Sequence, residues 1–174
     1  MFIVRFIIII FELILCYVFQ SSVCSVLTLN DAIPDLLMII VVAVAYIKGC
    51  NEGIIYGFFA GFILDLTFGT HLGYFALIYL FCGFLTGLFH KFYRKDDNTT
   101  PLLLVAASVF LSQSIFFVTE FLVKGRLTYH YYFTDIILPK MIYTVLVAAV
   151  LYKLCQISIL WSVRLEEQRV RDYD

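Results

Sequence analysis

Charge is scarce in this sequence. Only 14% of its 174 residues are Asp, Glu, Lys or Arg, where a soluble domain carries about 25%. Neither sign dominates: 12 Lys and Arg face 13 Asp and Glu, for a net charge of −1. That removes the basic excess a nucleic-acid binder needs. Cysteine is represented by Cys16, Cys24, Cys50, Cys82 and Cys155, an odd set without a Cys-x-x-Cys pair. A zinc or redox site would need ligands at short spacing, so these read as small buried hydrophobes. The three histidines, His71, His90 and His130, form no His-Glu-x-x-His, and neither a Gly-x-Ser-x-Gly nor a phosphate-binding loop ending in Lys-Ser/Thr occurs. No cofactor, metal or catalytic residue is expected, and the chain reads as no enzyme.

What fills the sequence is apolar. Hydrophobic residues make up 63% of it, and the mean hydropathy is +0.97. The solvent for such a chain is lipid. A secreted disulfide scaffold, a disordered regulator and nearly every soluble enzyme fold are excluded by that composition.

A bilayer core of about 30 Å needs about 20 apolar helical residues. Six segments meet or approach that length: Phe2 to Phe19, Pro34 to Ile47, Gly53 to Phe68, Leu72 to Phe92, Pro101 to Val123 and Ile136 to Trp161. The second and third are short and are split only by Lys48-Gly49-Cys50-Asn51-Glu52, a turn signal; a re-entrant pair is the competing reading. Glu12 interrupts the first segment and no small-x-small cleavage site follows it, so a retained helix is expected rather than a signal peptide. The expected fold is all-α, a polytopic bundle of six spans over residues 1–162 with a charged tail over 163–174. Lysine and arginine set the orientation. Lys48, then Lys91, Arg94 and Lys95, then Arg164, Arg169 and Arg171 fall on one side, expected to be cytoplasmic with both termini. Lys124 and Arg126 run against the trend.

Without a hydrophobic effect between helices, association rests on close packing and polar contacts. Gly53, Gly57 and Gly61 recur every four residues and lead to Asp65 and Gly69, drifting about 40° per step. This row, with Gly73 beyond it, is a candidate face for packing or for a partner. Gly83 and Gly87 answer it on the fourth segment. An ionised Asp at mid-bilayer costs about 2.5–3.5 kcal/mol, so acids there have partners or functions. Asp35 after Pro34 suits a helix N-terminus. Glu12 has Arg5 on its own face about 10 Å away, too far for a simple ion pair; it must be protonated, paired with another helix or met by a partner. Glu120 and Lys140 lie at similar depth and are expected to pair. Tyr129, Tyr131 and Tyr132 read as an outer aromatic belt, with His130 a bystander. An aspartyl pair of Asp35 and Asp65 would lack the Tyr-Asp and Gly-x-Gly-Asp settings of intramembrane proteases.

Pro34-Asp35-Leu36, the spaced Gly53, Gly57 and Gly61, Asp65-Leu66, Gly69-Thr-His-Leu-Gly73 and the later Leu138-Pro139-Lys-Met-Ile-Tyr143 occur in this order. They resemble the rod shape-determining protein MreD family. The resemblance implies a non-enzymatic subunit of the bacterial elongation machinery in the inner membrane. Its implied partners are MreC, a bitopic protein with one span and a large external domain, together with MreB, RodA and a penicillin-binding protein. It also implies a fold related to the substrate-binding subunits of vitamin transporters. That relation keeps a small-molecule binder as the alternative, for which Asp35, Asp65, His71 and Glu120 are the candidate polar groups.

Overall fold

The computed structural model describes residues 2–22, 34–68, 73–93, 99–119 and 137–171, without the side chains of 2–8, 68, 154, 155 and 157–171. Among these residues are six α-helices: α1 (Phe2–Ser22), α2 (Leu36–Lys48), α3 (Cys50–Phe68), α4 (Tyr74–Leu88), α5 (Thr99–Phe117) and α6 (Leu138–Arg171). A 3-10 turn, Phe89–Phe92, extends α4. The three prolines mark helix starts. Pro34 precedes α2, while Pro101 and Pro139 fall in the first turns of α5 and α6, where a missing N–H breaks no helical bond.

The helices alternate in direction. Gln20 near the end of α1 accepts from the Leu37 N–H at the start of α2. Asp65 at the end of α3 meets the start of α4, and Tyr74 at the start of α4 donates to the Ile115 carbonyl near the end of α5. Thr144 in the second turn of α6 meets Asp35. At the opposite end, His90 after α4 joins Tyr46 at the end of α2, and Gln156 of α6 joins Tyr93.

The centre of this bundle is α2. All twelve residues from Leu36 to Ile47 are buried, and α2 packs against each of the other five helices. A helix that is apolar all round belongs in such a place. At 13 residues it is about 20 Å long, short of a bilayer core. Enclosure removes the need for length, because its exposed backbone ends are met by protein rather than by hydrocarbon. The expected five-residue turn after it is in fact Gly49 alone. Its φ of +97° lies where L side chains are strained, while Cys50, Asn51 and Glu52 already form the first turn of α3.

Large apolar side chains cover the outside: Phe11, Leu15 and Phe19 on α1, Phe58, Phe62 and Leu66 on α3, Leu77, Phe81 and Phe84 on α4, Leu103 and Phe110 on α5, and Leu146 and Val150 on α6. Water-soluble monomers rarely present so much contiguous apolar surface. Of the six expected spans, two stretches among the described residues are long and apolar enough to cross a bilayer, Tyr74–Phe92 and Thr99–Phe117. Ile9–Ser22 and Leu36–Lys48 are apolar but shorter. α6 continues without a break through residue 162 to Arg171.

The α3–α4 hairpin is held by backbone contact. A Cβ on Gly53 would come within 2.5 Å of the Gly83 carbonyl oxygen, and one on Gly87 within 2.5 Å of the Cys50 Cα. A Cβ on Gly57 would overlap the Tyr79 carbonyl, and one on Gly61 the backbone of Phe75 and Ala76. These obstacles are main chain, joined at Gly53 by the Ala45 Cβ at 2.6 Å, so a side chain forces the helices apart. Gly61→Ala should therefore cost about 3 kcal/mol and lower the thermal midpoint in detergent. Gly73→Ala has open space around its Cβ and should cost only about 1–2 kcal/mol for its left-handed backbone. Equal midpoints for the two variants would refute this account of the hairpin.

Candidate functional site

The row that starts with Gly53, Gly57 and Gly61 ends on a carboxylate at the same spacing. Asp65 is 2% exposed and lies where α4 begins. One oxygen accepts from the Phe75 N–H at 2.9 Å. The other accepts from the Gly73 N–H at 3.1 Å and the Ala76 N–H at 2.9 Å. The first N–H groups of a helix have no partner within it, and the N-cap of α4 is Gly73, which has no side chain to cap them. Asp65 supplies the cap from the preceding helix, and its negative charge faces the positive end of the α4 dipole.

Asp35 does the equivalent for α2. It is 5% exposed, and its Oδ1 accepts from the Met38 N–H at 3.1 Å. Its Oδ2 accepts from the Tyr79 hydroxyl of α4. Its own N–H donates to Thr144 Oγ1 of α6 at 3.2 Å, and that hydroxyl donates to the Lys140 carbonyl at 2.7 Å. One residue thus ties three helices together. Gln20 completes the cap, its Oε1 taking the Leu37 N–H at 3.2 Å.

Glu12 has a neighbour on another helix: Tyr56 of α3 donates its hydroxyl to Glu12 Oε2 at 3.3 Å. Between α4 and α5 the polar groups are small and mutually satisfied. Thr86 Oγ1 donates to the Cys82 carbonyl at 2.7 Å and lies 3.4 Å from Ser108 Oγ, while the Cys82 thiol donates to the Ser108 carbonyl at 3.7 Å. At the other end of α2, the Tyr46 hydroxyl donates to the Phe92 carbonyl at 3.2 Å. His90 Nδ1 is 3.0 Å from the Tyr46 carbonyl, which can only accept, so that nitrogen carries the hydrogen.

The structure brings Gly53, Gly57, Gly61, Gly83 and Gly87 into one seam filled by α3 and α4 themselves, with Asp65 at its end and Gly73 beside it in open space. A second protein's helix cannot lie in it while the hairpin is closed. Asp35 sits apart from that seam, at the start of the central helix. Lys140 is half-buried; its expected partner Glu120 lies outside the described residues, as do Gly69, His71, Lys124, Arg126, Tyr129, His130, Tyr131 and Tyr132. Sequence reading missed Tyr56, Tyr79 and Thr144. Tyr56 could have been found by depth, since α1 and α3 place it level with Glu12. Nothing in the sequence pairs Tyr79 or Thr144 with Asp35. Among the described residues no group of three or more His, Cys, Asp or Glu side chains is placed to hold a metal ion.

Outward apolar rows, a fully enclosed central helix and the Asp35 and Asp65 carboxylates engaged in backbone caps define the class: a helical membrane protein. Within that class the chain belongs to the family described as rod shape-determining protein MreD, which it matches over residues 1–158. This is a structural, shape-determining membrane protein family rather than a known enzyme family. No curated protein and no solved structure matches the chain.

Removing the Asp65 carboxylate leaves three N–H groups at the start of α4 without that acceptor, the Ala76 N–H buried and those of Gly73 and Phe75 partly buried. Asp65→Ala should cost on the order of 3 kcal/mol and lower the thermal midpoint clearly. Glu12→Gln, which keeps an acceptor for Tyr56, should change it little. An Asp65→Ala midpoint equal to that of the wild-type protein would refute the capping role.

Proposed function

We propose that this protein is a six-span scaffold of the bacterial cell-elongation machinery, seated in the inner membrane with both termini in the cytoplasm. In this reading it binds an MreC-like bitopic protein and helps couple MreB filaments to the peptidoglycan synthesis of RodA and a penicillin-binding protein. The observation that carries the reading is the family match over residues 1–158. The alternating direction of the helices supports an even number of crossings. The Lys and Arg of 48, 91, 94, 95, 164, 169 and 171 support a cytoplasmic inner end.

The partner's single helix meets the outward apolar rows of the bundle rather than the glycine seam, because α4 occupies that seam. Lipid tails are as apolar as these rows, so specificity there rests on shape. The solute-binding alternative needs convergent polar groups with free hydrogen-bonding capacity. Asp35 and Asp65, two of its four candidate ligands, are engaged in capping, which favours the scaffold.

Two measurements test the proposal. Reporter fusions at Gln20, Lys95 and Asp174 should read outside, inside and inside; any other pattern overturns the six-span arrangement. Co-expression with a tagged MreC-like protein should recover the two in a stable detergent-resistant complex. Recovery with an ATPase module and a bound vitamin instead would overturn the scaffold reading.

A further inference from the structure

Most exposed apolar side chains lie along helix flanks, but two aromatic rings stand at a helix end beside positive charge. In the 3-10 turn Phe89-His90-Lys91-Phe92, Phe89 is 45% and Phe92 is 69% exposed, and His90 and Lys91 are exposed as well. The turn is nevertheless fixed from within. The Phe92 carbonyl accepts from Tyr46, His90 Nδ1 donates to the Tyr46 carbonyl, and the Tyr93 N–H closes onto the His90 carbonyl at 3.0 Å. The Tyr93 ring stands edge-on to Tyr46 at 5.4 Å, and its hydroxyl accepts from Gln156 of α6 at 3.2 Å. A central helix and the last helix thus hold a turn whose Phe89 and Phe92 rings, 6.5 Å apart, are exposed.

Its height is also fixed. The apolar stretch Tyr74–Phe92 has 19 residues, about 28 Å of helix, close to the thickness of a hydrocarbon core. With Tyr74 at one boundary, the turn lies at the other, where aromatic rings and basic side chains settle. Arg94 and Lys95 follow in the sequence before Asp96 and Asp97, so positive charge continues next to the turn.

We propose that Phe89, Lys91 and Phe92 form a pre-ordered clamp for acidic phospholipid headgroups, the two rings entering the acyl boundary while the Lys91 ammonium meets a headgroup phosphate. The clamp rests on the reading of Tyr74–Phe92 as a membrane span, and it adds a lipid preference that this reading does not require. Because the backbone of the turn is already ordered, binding costs little backbone freedom. The attraction is electrostatic and weakens with salt.

The test uses the purified full chain in nanodiscs of phosphatidylcholine alone or with added phosphatidylglycerol. The wild-type thermal midpoint should be higher with phosphatidylglycerol by about 2–4 °C, and the difference should shrink at high salt. Lys91→Gln and Phe92→Ser, both at exposed positions, should each abolish the difference. Lys153→Gln, at an exposed position on α6, should keep it. Equal wild-type midpoints in the two lipids would overturn the clamp, as would a difference that survives in Lys91→Gln and Phe92→Ser. Loss of the difference in Lys153→Gln would also overturn it, since the effect would then belong to overall charge. The reporter fusions test the span reading separately, so failure of the clamp leaves that reading standing.

Discussion

A helix that starts away from water must find acceptors for its first N–H groups inside the protein. Much of the arrangement described above follows from that constraint. The two carboxylates at helix starts, Asp35 and Asp65, serve N-terminal N–H groups, and Gln20 adds a third acceptor from α1. Because Asp65 sits on α3 and Gln20 on α1, capping is also what attaches one helix to the next. The glycine row brings α3 and α4 close enough for Asp65 to reach the start of α4, and Asp65 in turn fixes where along α3 the start of α4 rests. Close packing and capping are one interaction seen at two points of the same row.

Among the described residues, several buried polar groups are spent on architecture. Here the carboxylates of Asp35 and Asp65 and the hydroxyls of Thr86 and Thr144 are used to join helices. The outer surface offers other molecules apolar helix flanks and, at the Phe89–Phe92 turn, aromatic rings beside basic charge. Membership of the MreD family places that surface in the context of cell shape.

The helices were legible because apolar runs, turn residues and prolines are local signals. The glycine spacing also announced a close approach of backbones, with Gly83 and Gly87 answering it on the fourth segment, although it did not say that α4 would fill the row. Asp35 could be read as a cap because its target N–H groups follow it in the chain. Asp65 could not, since its targets lie eight to eleven residues on, beyond a turn, and the row spacing speaks only of α3. The short second segment was the most misleading. Judged against the bilayer it was a short span or half of a re-entrant pair, and its enclosure by five other helices could not be read from the sequence. Tyr79 and Thr144 were invisible for a related reason, because a hydroxyl in an apolar run reveals its partner only when the helices are assembled.

The even hydrophobicity of α2 has a consequence for its orientation. A helix with one apolar face is set in place by that face, but α2 would bury almost the same surface at any azimuth. Its rotation about its own axis is chosen at the tips, by Asp35 against Tyr79 and Thr144 at one end and by Tyr46 against His90 and Phe92 at the other. The middle of the molecule is thus a smooth shaft, keyed at both ends.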